Sequence, residues 1–140
     1  MNNLSFHTFD VGLYNCFQSQ SLILSHMIED DMLKLIVTGR LTYDNLSLFR
    51  RYTTYLLDNE MPQHHTLLID CNLTDHIDST GFGMVIHLYR TLEKAGKKLK
   101  ILNPPENTRE LLLNSPFNAC VVLDDSRPIT EKKQNTWLPW

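Results

Sequence analysis

The residues best suited to chemistry are Asp78, Ser79, Thr80 and Gly81, two hydroxyls set between a carboxylate and a glycine. An apolar run, residues 65–71, precedes them across a short polar gap, and an amphipathic run, residues 82–95, follows. That order reads strand, loop, helix, and it puts Ser79 and Thr80 at a helix mouth. The first N–H groups of a helix have no carbonyl partner inside it, so a short hydroxyl or carboxylate side chain is favoured there. An added anion is also best tolerated at that end, where free N–H groups and the helix dipole both favour negative charge. A serine hydroxyl is a weak nucleophile unless a base activates it. His76 lies earlier in the loop and His87 two helical turns on, and neither is placed to activate Ser79. Ser79 therefore reads as a group that is acted upon rather than a catalyst. The plainer alternative is that Asp78-Ser79-Thr80-Gly81 only caps a helix, because short motifs of this kind recur by chance.

Asp70, Cys71, Asp75, His76 and Asp78 crowd the same stretch. A metal site or a Cys-His-Asp hydrolase would draw on such residues, but their spacing follows no ligand pattern. A buried core cysteine beside an exposed loop histidine accounts for them. No metal, no cofactor and no enzymatic activity are expected.

The elements that position this stretch can be read on either side of it. Residues 21–28 and 32–38 form two strands joined by the acidic turn Glu29-Asp30-Asp31, an antiparallel pair. On the second strand Leu33, Leu35 and Val37 share one face, while Lys34, Ile36 and Thr38 make a mixed one. Helices should therefore cover one side of the sheet more than the other. Thr42 caps a helix over residues 43–57, with Phe49, Tyr52 and Leu56 at helical spacing and Leu46 one turn earlier. Residues 66–71 are apolar on both faces and belong in the middle of the sheet. A loop over 72–78 leads to a helix from Ser79 or Thr80 to about Ala95, which Gly96 ends. Phe82, Val85, Ile86, Tyr89 and Leu92 form its core stripe. Met84 and Leu88 lie beside that stripe, as further core or as an exposed patch for a partner. Lys98–Leu102 is a strand. Asn103 then caps a short helix over 105–114 with Pro104 in its first position, and residues 120–123 close the sheet.

The chain of 140 residues suits one domain. It is 42% hydrophobic and 21% charged, a globular composition. A net charge of −3 leaves no basic surplus to neutralise phosphates, which argues against nucleic acid as a partner. Cys16, Cys71 and Cys120 are odd in number and widely spaced, as in a reduced compartment. The first residues lack the charged start and apolar core of a signal peptide, and no apolar run approaches a membrane span. The expectation is a cytoplasmic protein without membrane insertion.

The central stretch resembles a known signature. Ile77-Asp78-Ser79-Thr80-Gly81-Phe82-Gly83 follows an apolar strand that reaches Asp70 and precedes a helix that closes on Lys94-Ala95-Gly96-Lys97-Lys98-Leu99. This is similar to STAS domains, the sulfate transporter and anti-sigma-factor antagonist family. The likeness covers residues 21–124, leaving 1–20 as an N-terminal extension that could hold one or two strands and 125–140 as a tail. It implies an α/β fold: a mixed sheet with a mostly parallel core and an antiparallel N-terminal strand, packed against helices. It also implies a bacterial anti-sigma factor antagonist in a partner-switching pathway, with Ser79 phosphorylated by a Ser/Thr kinase. Asp78, Ser79, Thr80, Gly81, Phe82 and Met84 would meet the partner, with Asp78 holding the loop and orienting the hydroxyl. The implied partners are the kinase or anti-sigma factor and a PP2C-type phosphatase, and a homodimer is compatible with them. The alternative is a STAS subunit docked constitutively on the ATPase of an ABC lipid transporter. A third reading is a thiol or ligand sensor using Cys71 or Cys120.

Overall fold

The computed structural model describes residues 21–124. The extension strands expected within residues 1–20 and the Trp137-Leu138-Pro139-Trp140 end of the tail lie outside the described residues.

Strands β1 (Leu22–Glu29) and β2 (Met32–Leu41) form the antiparallel hairpin, in register from Leu22 opposite Gly39 to Glu29 opposite Met32. Asp30 and Asp31 turn the chain with φ of 53° and 66°, the paired positive φ that a two-residue hairpin of right-handed twist requires. The expected end of β2 at residue 38 is corrected, since the strand runs on to Leu41. Gly39 makes this possible. Its φ is 102°, and a Cβ there would stand 2.2 Å from the Ser21 carbonyl oxygen, so no side chain fits.

A tight 3-10 turn, Tyr43–Asn45, precedes α1 (Leu46–Asn59). The helix expected from residue 43 therefore starts later. Asn45 is the cause: its side-chain oxygen accepts from the Thr42 amide at 3.0 Å, and its NH2 donates to the Arg40 carbonyl at 2.8 Å. These bonds wind the first turn too tightly for α-helical geometry. Beyond it, Phe49, Tyr52 and Leu56 are buried as their spacing predicts.

Strand β3 (Thr66–Asp70) is central, parallel to β2 on one side and to β5 (Lys98–Leu102) on the other. The stretch expected as a plain loop, residues 72–78, contains a short strand, β4 (Thr74–Ile77), which pairs with the end of β2 over Gly39–Leu41. Helix α2 spans Ser79–Lys94. Val85, Leu88 and Leu92 are buried, with Phe82, Met84, Ile86 and Tyr89 partly buried against the core. Leu88 is thus core.

Helix α3 covers Glu106–Leu113, a shorter element than the 105–114 expected. Asn103 does not cap it. With φ of 50°, Asn103 instead clamps two loops, donating to Asn72 Oδ1 at 2.7 Å and to the Asp124 carbonyl at 3.0 Å. A further turn, Asn118–Cys120, shortens the last strand to β6 (Val121–Val122).

The sheet order is β1-β2-β3-β5-β6, with β4 beside the end of β2. From β2 onward each longer strand lies parallel to and beyond the last, so right-handed crossovers put α1, α2 and α3 on one face. There Leu33, Leu35, Val37, Leu67, Ile69, Leu99 and Ile101 meet the helices in one core cluster.

Candidate functional site

Asp78 ends the β4 connection and is the N-cap of α2. Its Oδ1 accepts from the Gly81 amide at 2.9 Å and from the Thr80 hydroxyl at 2.6 Å. Its Oδ2 accepts from the Tyr43 amide at 2.9 Å. One carboxylate thus serves a local task, capping the helix, and a long-range one, tying α2 to the turn between β2 and α1. The Asp78 amide donates back to the Leu41 carbonyl at 3.1 Å, so the linkage is doubled. Partial burial pushes the Asp78 carboxyl up. Hydrogen bonds from Thr80, Gly81 and Tyr43 outweigh it and hold the pKa below the ordinary carboxylate value.

Gly81 is buried, and a Cβ there would lie 2.6 Å from the Leu41 carbonyl oxygen. The first turn of α2 therefore touches the backbone of β2, which glycine alone permits. With its underside pinned, the turn presents Ser79 and Thr80 outward, and both are exposed. Thr80's hydroxyl is engaged by Asp78. Among the described residues Ser79 makes no side-chain hydrogen bond. Ser79 Oγ is thus a solvent-facing hydroxyl on the first residue of a 16-residue helix. No described base holds it, so the arrangement offers an acceptor rather than an activated nucleophile.

The other predicted site residues separate by depth. Phe82 and Met84 are partly buried against the core. Asp70 is buried and faces away from the helices, with its carboxylate 3.5 Å from Lys34 Nζ and accepting from the Asn72 amide at 2.9 Å. Cys71 is buried, and burial pushes its thiol up to about 12, more than the Thr74 hydrogen bond lowers it. Burial likewise raises the Cys120 thiol, with Glu93 adding to it. Neither is a ready thiolate at neutral pH. Asp70, Cys71 and His76 do not converge, and among the described residues no group of three or more His, Cys, Asp or Glu could hold a metal ion.

Sequence reasoning missed Tyr43. Its side chain is 77% exposed, and its amide is fixed by Asp78 from across the fold. Nothing in the local pattern signals that tie, because the two residues are far apart in sequence.

Comparison with known proteins settles the family. The STAS domain family matches residues 26–130, three-quarters of the chain. The chain belongs to the STAS family. Among solved structures, the anti-sigma factor antagonist SpoIIAA of Bacillus in its unphosphorylated form superposes with a TM-score of 0.59 at 18% identity, covering 81% of this chain and 96% of that one. A Thermotoga maritima protein, proposed to be an anti-sigma factor antagonist, gives 0.59 at 18% identity, covering 79% and 92%. The murine anion transporter Slc26a9 gives 0.61 at 17% identity, covering 87% of this chain and 23% of that one. No curated protein matches the sequence. The mixed, mostly parallel sheet with an antiparallel β1–β2 pair and three helices is the STAS fold of SpoIIAA. Among the described residues no helix is long and apolar enough to cross a membrane.

Proposed function

We propose that this STAS protein is a phosphorylation-switched regulator of a partner-switching pathway, of the anti-sigma factor antagonist kind, acting in the bacterial cytoplasm. Ser79 is the acceptor. A Ser/Thr kinase brings ATP and a base. The Ser79 Oγ–phosphorus bond forms as the bond from the γ-phosphorus to ADP breaks, and the hydroxyl proton passes to the kinase. The partner, kinase or anti-sigma factor, covers the first turns of α2, meeting Asp78, Ser79 and Thr80 at the rim and the exposed edges of Phe82 and Met84. A PP2C-type phosphatase reverses the step. In this reading the chain is no enzyme itself. The observation that carries it is the unengaged, solvent-facing Ser79 hydroxyl at the start of α2 in a chain of this family.

The likeness to the Slc26a9 anion transporter favours a second reading at the level of fold, a docking module held constitutively on a membrane transporter. An ABC lipid-transport ATPase is the partner to look for there. One experiment separates the two. Phosphopeptide mass spectrometry on protein taken from its host reports the modified residue, and binding of the captured partner is compared for wild type, Ser79→Ala and Ser79→Asp. The switch requires modification at Ser79 and loss of partner by Ser79→Asp. Labelling that survives Ser79→Ala, or a partner held equally by all three chains, refutes it.

A further inference from the structure

All three described helices lie on one face of the sheet, and the opposite face carries no described element. Parallel sheets are ordinarily covered on both faces. The register assembles this second face row by row: Met27, Lys34, Leu68 and Lys100 in one row, and Ser25, Ile36, Asp70 and Leu102 in the next. Its apolar part lies on the β1 side, where Ile23 is 50% exposed and Met27 36% exposed. Two of its lysines, Lys98 and Lys100, lie at the far strand and are exposed. Leu68 is buried yet stands apart from the core cluster on the helix side.

We propose that residues 1–20 of the same chain lie across this face and cover its β1–β3 portion. The segment joins the fold at Ser21, immediately before β1, the strand that carries the exposed Ile23 and Met27. It is rich in apolar side chains, Leu4, Phe6, Phe9, Val11, Leu13 and Phe17 among them, and Asp10 is its one Asp, Glu, Lys or Arg residue. Twenty extended residues reach roughly 66 Å, and crossing three strands takes about 10 Å. A second copy of the chain is the poorer occupant. It would have to bury Lys98 and Lys100 together with the apolar rows, whereas a single strap leaves both in water. The segment also precedes the stretch matched by the family, which begins at residue 26.

The test uses the full-length protein. Cys16 lies in the segment, while Cys71 and Cys120 are buried with raised thiol pKa values, so a nitroxide reagent at neutral pH attaches at Cys16. If Cys16 resists it, Ser5→Cys in a Cys16→Ser background carries the label. Amide signals of Ser25, Ile36 and Leu68 should lose the most intensity, and those of α1 and α2 clearly less. Losses confined to the residues next to Ser21, or greatest on the helices, overturn the proposal. So does equal loss in an unlabelled isotopic chain mixed with labelled chains, which would assign the face to a second copy. In a parallel measurement, Phe6→Ser with Phe9→Ser should speed peroxide oxidation of Met27 several-fold, and an unchanged rate counts equally against it.

Discussion

Asp78 is the residue whose removal has the most calculable effect. Asp78→Ala deletes the cap on the Gly81 amide and the tie to the Tyr43 amide, each a 2.9 Å hydrogen bond to an ionised oxygen. Loss of an N-cap costs about 1 kcal/mol, and loss of a solvent-accessible charge-assisted hydrogen bond costs about 1 kcal/mol more. The sum, about 2 kcal/mol, corresponds to a fall in Tm of about 10 °C for a domain of this size. Asp78→Asn keeps an acceptor oxygen but loses the charge, so about half of that loss is expected. The pH dependence has a definite sign. The folded-state pKa of Asp78 lies below its unfolded value, so its contribution is present above the unfolded pKa, about 3.9. It is lost as the pH falls through the lower, folded-state pKa. Thermal unfolding followed by circular dichroism at pH 7 and through the acid range checks both points. The gap between wild type and Asp78→Asn should close as Asp78 protonates. A gap that stays constant through that range, or an Asp78→Ala protein as stable as wild type, refutes the assignment of Asp78 as cap and tie.

Two backbone predictions follow from the hairpin. Gly39→Ala forces a Cβ to within 2.2 Å of a carbonyl oxygen at φ of 102°, and a loss of about 3 kcal/mol is expected from strain and displacement of β1. Urea unfolding midpoints measure it, and a loss under about 1 kcal/mol would mean the hairpin shifts freely. Asp31→Gly relieves a non-glycine residue at φ of 66° and should stabilise the protein by about 0.5 kcal/mol, the relief being partly offset by the greater freedom of glycine when unfolded.

Much of this fold was legible because its long elements carry strong periodicity. Phe49, Tyr52 and Leu56 announce α1, and Val85 and Leu92 announce α2, since burial of one helical face imposes that spacing. The apolar run 66–71 announced the central strand for the same kind of reason. Strand β4 was not legible. Thr74–Ile77 has polar Asp75 and His76 at its middle, and it exists because the end of β2, carried past Gly39, offers it a partner. Asn103 misled because a short polar residue before two prolines looks like a cap, while its bonds run to Asn72 and Asp124 in other loops. The candidate site divides in the same way. The cap Asp78 and the exposed serine are local features, and the sequence places them. The tie to Tyr43 is tertiary and leaves no mark on either segment.

That tie bears on how a phosphate at Ser79 would act. The carboxylate of Asp78 already occupies the capping seat, accepting from Gly81, Thr80 and Tyr43. A phosphoryl group on Ser79 brings about −1.5 to −2 charges next to that carboxylate and does not gain the same N–H groups without displacing it. In water, two unit charges at about 4 Å repel by only about 1 kcal/mol, so the free domain tolerates the addition. Under a partner, water is excluded and the effective dielectric falls to about 20, which raises the same repulsion to about 4 kcal/mol. That is nearly three decades in affinity. In the proposed function this asymmetry would put the switch at the interface rather than in the fold. Phosphorylated protein should keep a Tm within a few degrees of the unmodified form while losing its partner, and a phosphorylated domain that melts many degrees lower would move the switch inside the domain.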